Sequence, residues 1–168
     1  MADLSNVEQA IQPNTRLVYS ETASNPLLAI TDLYGLSQIT KVRRLKLIID
    51  NTFMTPYLFQ PLHHGADIVI HSTTKYLNGH SDATGGIVVG TKEFIARARR
   101  VTINFGSSSS PFESWLTYRG AKTLALRMDK HCQNALKLAA YLESNPAVSK
   151  VYYPGLASHR DQVLCPQG

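Results

Sequence analysis

The stretch Asp67-Ile68-Val69-Ile70-His71-Ser72-Thr73-Thr74-Lys75 decides the reading of the fold. Ile68, Val69 and Ile70 follow one another with no polar interruption. Such a run suits a strand covered on both faces, as in a parallel sheet, rather than a hairpin strand with one wet side. The strand is read as Asp67–His71, after which the chain turns polar, with three hydroxyls before a lysine. Outward from it, Leu45–Ile49 is another such run and stops on Asp50; Thr15–Ser20 precedes it and Gly85–Gly90 follows. Helix-period segments separate these runs. Leu4–Ile11 begins after a capping Asp3 or Ser5 and stops at Pro13. A helix capped by Thr31 or Asp32 carries Leu33, Leu36 and Ile39 on one side. Tyr57–His64 is a short helix broken by Pro61, and Lys92 to about Val101 is a further helix. The alternation predicts an α/β protein with a mostly parallel sheet flanked by helices.

Beyond the polar break Ser107–Ser110 and Pro111, Phe112 to Ser144 reads as one long helix. Leu124, Met128, Ala135, Leu138 and Leu142 recur along it at helical spacing. It stops at Asn145-Pro146, and Val148–Tyr153 then reads as a strand before the Pro154-Gly155 turn. A long helix feeding a strand of different surroundings predicts a domain junction between Arg119 and Ser144.

With 168 residues, 43% hydrophobic and 17% charged, the chain is neither disordered nor of low complexity. No apolar run approaches the roughly 20 residues of a membrane span, and the first residues carry no basic region leading into an apolar stretch. Cys132 and Cys165 are too few for a disulfide framework and too sparse for a zinc site, which makes a reducing cytoplasm the expected location. The net charge of +5 invites a nucleic-acid reading. Its basic groups, Lys41-Arg43-Arg44-Lys46 and Arg97-Arg99-Arg100, are not interleaved with aromatics and suit solvated helix faces and ends, so no nucleic-acid partner is expected.

In open parallel sheets ligands bind at the carboxyl ends of the strands. The first strand runs into Glu21 and the turn at Ser24-Asn25-Pro26, the second ends at Asp50-Asn51-Thr52, and the third at His71 to Lys75. An amine beside paired hydroxyls suits a phosphorylated aldehyde, since hydroxyls can hold the phosphate while the amine forms an imine. A carboxylate on another strand end can pair with a protonated ring nitrogen. Those are the requirements of pyridoxal phosphate. Glu21 is a further carboxylate at a strand end, catalytic or structural. The histidines 63, 64, 71 and 80 lack the helical spacing with a carboxylate that a metal site needs, so no metal is expected. Adjacent residues such as His80-Ser81-Asp82 cannot adopt the geometry of a hydrolase triad.

Ser72-Thr73-Thr74-Lys75-Tyr76-Leu77-Asn78-Gly79-His80-Ser81-Asp82 resembles the cofactor-lysine signature of the pyridoxal-phosphate enzymes of cysteine and methionine metabolism. Glu21-Thr22-Ala23-Ser24-Asn25-Pro26, Asp50-Asn51-Thr52-Phe53, Gly65-Ala66-Asp67-Ile68-Val69, Arg119-Gly120-Ala121-Lys122-Thr123-Leu124 and Tyr153-Pro154-Gly155-Leu156 resemble the same family in order. Ala23 stands for the usual proline and Ala121 for the usual leucine.

The resemblance implies a type I pyridoxal-phosphate fold, aspartate-aminotransferase-like. Residues 1–125 would be the C-terminal half of the large domain, and residues 126–168 the connecting helix and the start of the small domain. Lys75 would carry the cofactor as an internal aldimine and shuttle protons. Asp50 would pair with the pyridinium nitrogen, and Ser72 and Thr74 would hydrogen-bond the phosphate. Asn25, near the ring's phenolic oxygen, comes from the resemblance alone. The implied reaction is γ-elimination or γ-replacement on a cystathionine- or homoserine-type amino acid, in a cytoplasmic homo-oligomer, a dimer of dimers. Complete family members are more than twice this length. The phosphate-cradling helix start, the ring-stacking aromatic and the carboxylate-binding arginine would lie outside these residues. Two readings stay open: a segment of an active enzyme, or a short cofactor-binding or interaction fragment without turnover.

Overall fold

Lys46-Leu47-Ile48-Ile49-Asp50 alternates its side chains across the sheet, and that alternation sets the core. Leu47 is fully buried and Ile49 is 1% exposed, whereas Lys46 points outward to an ion pair with Asp67 at 2.7 Å. The computed structural model describes residues 3–164, so Met1, Ala2 and Cys165 lie outside the described residues. Strand β1 (Leu17–Glu21) is followed by β2 (Lys46–Asp50), β3 (Ile68–Ser72) and β4 (Gly86–Val89), and they lie in the order β1-β2-β3-β4. The first three are parallel and β4 runs antiparallel to β3.

Helix α1 (Leu4–Ala10) is capped by Asp3, whose carboxylate accepts from the Ser5 N–H at 2.9 Å. Helix α2 (Leu33–Val42) is capped by Asp32, which accepts from the Gly35 N–H at 2.9 Å. Leu33 and Leu36 of α2 pack with Leu47, Ile49, Ala66 and Val69, and Leu4, Val7, Val18 and Phe59 close over them. A second cluster joins Leu77, Leu124 and Met128. β3, the run expected to be covered on both faces, is buried or half-buried throughout, whereas β4 is exposed along its whole length.

Three segments depart from the sequence reading. The predicted helix Tyr57–His64 is two pieces, α3 (Thr55–Leu58) and a 3₁₀ turn Pro61–His64. Pro61 disfavours helical backbone at the residue before it, and Gln60 takes φ −122°, ψ 85°. Helix α4 (Lys92–Phe105) runs one turn past Val101 and ends at Gly106, whose φ is +68°. The predicted helix Phe112–Ser144 divides into α5 (Pro111–Ala121) and α6 (Leu124–Glu143). Lys122 and Thr123 donate to the Arg119 and Gly120 carbonyls, bonds that tighten the turn and end α5. Val148–Tyr153 forms no ladder with any described strand. Its composition suits a strand, but pairing requires a neighbour.

Leu47→Ala should lower stability by about 2–5 kcal/mol, because the cavity falls where two helices and the sheet meet. Val42→Ala, at a position 81% exposed on α2, should change it by less than about 0.5 kcal/mol. Equilibrium urea unfolding of the two variants checks the contrast.

Candidate active site

Parallel pairing brings the carboxyl ends of β1, β2 and β3 to one edge. Glu21 lies opposite Asp50 in the register, and Asp50 opposite Ile70. The Asp50 carboxylate is held by neighbours on both sides. Its Oδ2 accepts from the Tyr19 hydroxyl at 3.0 Å, and its Oδ1 accepts from the Thr52 N–H at 2.9 Å and the Thr52 hydroxyl at 2.5 Å. The same Thr52 Oγ1 accepts from the Ser72 N–H at 2.8 Å, so one hydroxyl ties the end of β2 to the end of β3. Burial, then the hydrogen bond to Asp50, then the charges of Asp50 and Glu21 push the Tyr19 hydroxyl above its usual pKa, which keeps it a donor.

Asn51 points the other way and is fully buried. Its Oδ1 accepts from the Thr22 hydroxyl at 2.7 Å, and its Nδ2 donates to the Thr55 and Phe59 carbonyls at 3.0 and 2.8 Å. His71 Nδ1 lies 3.1 Å from the Asn51 carbonyl, which can only accept, so the ring nitrogen donates. Burial holds the His71 pKa below its ordinary value, against the opposing pulls of that hydrogen bond and of the Asp50 charge.

Lys75 stands on a wide turn, Thr73–Leu77, closed by a hydrogen bond from the Asn78 N–H to the Thr73 carbonyl at 3.1 Å. Its own backbone is non-helical, at φ −93° and ψ −126°, and its side chain is exposed. The lysine opens on a cleft of about 760 Å³, lined also by Asn25, Thr74, Ser81, Glu113 and the rings of Tyr76 and His131. Tyr76 lies between Phe53, edge-on at 6.4 Å, and His131, tilted at 5.6 Å. The Thr74 oxygen accepts from the Gly85 N–H at 3.1 Å, which leaves its proton free to donate.

Asn25, Thr74 and Lys75 thus share one cleft, while Asp50 and Ser72 are not on its wall; they are joined to each other through Thr52 at the adjoining strand ends. Glu21 is exposed. Among the described residues no group of three His, Cys, Asp or Glu side chains is placed to hold a metal ion. Sequence reasoning missed Tyr19 and Thr52 as partners of Asp50, and Arg127, which bonds the carbonyls behind Lys75. Thr52 had a signal: an aspartate two residues before a hydroxyl residue favours a local turn onto its own backbone. Tyr19 and Arg127 had none, since their partners lie 31 and 51 positions away.

The chemistry of this donor set fits pyridoxal phosphate. There is an exposed primary amine for an aldehyde, a hydroxyl with a free proton for a phosphate oxygen, and a carboxylate already oriented by three hydrogen bonds with acceptor capacity remaining.

The family model for the Cys/Met metabolism PLP-dependent enzymes matches residues 1–166. The chain is 51% identical over 160 residues to the L-methionine gamma-lyase of Treponema denticola, covering 93% of this chain and 40% of that protein. It is 53% identical over 154 residues to the cystathionine gamma-lyase of Bacillus subtilis, covering 91% and 41%. The crystal structure of the cystathionine gamma-lyase of Lactobacillus plantarum complexed with L-serine superposes with a TM-score of 0.94 at 48% identity, covering 97% of this chain and 43% of that one. The chain therefore spans about two-fifths of the length of the relatives it matches.

Because the folded His71 resists protonation, the unfolded chain binds the extra proton, and stability should fall as pH drops through the ordinary histidine range near 6.5. Above that range the contribution is fully present. Urea unfolding from pH 7.5 to pH 5 should show a shallower loss for His71→Asn than for the wild type, with the remaining histidines as the common background.

Proposed function

The chain belongs to the Cys/Met metabolism PLP-dependent enzyme family, and from that premise we propose that Lys75 is the residue that holds pyridoxal 5′-phosphate here. The observation that supports it most directly is the exposed Lys75 amine in one cleft with Thr74 and Asn25, beside the strand end that carries the oriented Asp50. Bound pyridoxal phosphate supplies an electron sink for carbanion chemistry at an amino acid. In this reading Lys75 Nζ would hold the cofactor at its aldehyde group and would take and return protons at the substrate α-carbon and beyond. Asp50, whose carboxylate Tyr19 and Thr52 orient, would accept the hydrogen bond of the ring nitrogen and favour its protonated form. Thr74 and Ser72 would donate their hydroxyls to the phosphate, and Asn25 would lie near the phenolic oxygen.

The relatives' names point to elimination or replacement on sulfur amino acids, and we infer the γ-position of a cystathionine- or homoserine-type substrate as the site of reaction. We place the junction to the small domain at residues 125 and 126, within α6. No helix of the described residues is long and apolar enough to cross a membrane. Cytoplasmic location and homo-oligomeric assembly, a dimer of dimers, are part of the same proposal. The apolar side chains that α4 leaves in water, Val101, Ile103 and Phe105 at 56, 66 and 83% exposure, support an assembled state.

The second reading is a cofactor-binding or interaction fragment of the same family that does not turn substrate over. One experiment separates the readings. Pyridoxal phosphate is added to the full chain, the adduct is reduced with borohydride, and the modified peptide is mapped by mass spectrometry. Label concentrated on Lys75 and lost in Asp50→Ala is the expected result. Release of product from cystathionine by a parallel portion loaded with pyridoxal phosphate and left unreduced then selects the enzyme over the inert piece. Label scattered over surface lysines would sink the assignment of Lys75.

A further inference from the structure

The turn that presents Lys75 is gripped from outside by one side chain of α6. The Arg127 guanidinium donates to the Tyr76, Leu77 and Gly120 carbonyls at 2.7, 3.4 and 2.9 Å, and its Nε donates to the Thr123 hydroxyl at 3.1 Å. Tyr76 and Leu77 sit where the turn ends and the chain leaves through Gly79 at φ +74°. Among the described residues no backbone N–H comes round to their carbonyls, so they are the orphan acceptors that every helical segment leaves at its C-terminal end. A cation fits there for the same reason that favours cations at helix C-termini.

The contact leaves no spare room. A Cβ at Gly79 would stand 2.2 Å from Arg127 Nη1, and one at Gly120 would stand 2.1 Å from the Asn78 carbonyl oxygen. Beneath the guanidinium, Leu77 packs on Leu124 and Met128. The α5–α6 corner is thereby pressed onto the backbone just after Lys75.

We propose that Arg127 is a positioning residue for Lys75: by closing the carbonyl end of the turn it fixes the backbone from which the amine reaches into the cleft. This deepens the reading of Lys75 as the cofactor lysine and rests on it. Lysine at position 127 would keep the charge but not the planar fork, so it cannot reach all three carbonyls together.

The test compares wild type, Arg127→Met and Arg127→Lys as full chains in two arms. In the first, hydrogen–deuterium exchange without cofactor should quicken by about tenfold or more across residues 73–82 in Arg127→Met, less in Arg127→Lys, with β1 to β3 unchanged. In the second, after addition of pyridoxal phosphate and borohydride reduction, the share of label on Lys75 relative to other lysines should fall at least about fivefold in Arg127→Met and partly recover in Arg127→Lys. The proposal is overturned if either readout stays at the wild-type value. It is also overturned if exchange rises equally throughout the sheet in both variants, because Arg127 would then support the whole fold rather than the turn. A wild-type chain without label on Lys75 sinks the cofactor reading instead, and the exchange arm, which needs no cofactor, still decides whether Arg127 holds the turn.

Discussion

A single hydroxyl, Thr52 Oγ1, joins the elements on which the cleft edge is built. It donates to the Asp50 carboxylate and accepts from the Ser72 backbone N–H, so each bond orients it for the other. Through it the last residue of β2 and the last residue of β3 are locked in relation, and Tyr19 adds β1 from the opposite side. Strand ends are ordinarily where backbone pairing gives out and the chain frays. Here side-chain bonds continue the restraint past the end of the ladder, and they use the carboxylate itself as their anchor. An acceptor held by three donors has little freedom to rotate away from whatever it must face.

Asn51 does the complementary work on the inner side. With no exposed surface, it must satisfy its amide inside the protein, and its partners are Thr22, Thr55 and Phe59. Asn51 follows the last residue of β2 and its N–H still donates to the Ile70 carbonyl at 2.9 Å, so the strand's alternation carries on and turns Asp50 toward the edge and Asn51 toward the interior. The buried amide joins the segment after β1 to the segment after β2, and the half-buried carboxylate of Asp50 inherits their rigidity.

The alternation of apolar runs with helical segments made the fold class legible, because a covered strand and a half-covered helix differ in period. The placement of Lys75 and Thr74 in the cleft, and of Asp50 at the adjoining strand end, was legible for a related reason: parallel strands put their carboxyl ends on one edge, so position along the chain predicts position in space. Asn25 needed the resemblance, since a turn asparagine carries no chemistry of its own. What stayed hidden depends on distant partners. The break between α5 and α6 lies in a stretch whose apolar spacing continues on both sides, and it is marked by Gly120 meeting the Asn78 backbone from 42 positions away. Val148–Tyr153 failed for the opposite reason: composition suits a strand, but pairing is a property of two segments.

A lysine with the role proposed for Lys75, holding a group and later moving protons, would face two opposed demands. Its side chain needs freedom to swing, which requires exposure and the absence of fixed partners, while its Cα must stay where the swing begins. Side-chain packing at Lys75 would satisfy the second demand at the expense of the first. The structure meets them on different atoms. Restraint falls on the backbone after the lysine, through the Arg127 fork and the Leu77 anchor, and on the backbone before it, through the Thr52 bond to Ser72. The lysine side chain itself is left in the open cleft. This division explains why the residues around Lys75 bond so extensively through main-chain atoms: carbonyls and N–H groups can be fixed without touching the side chain they carry.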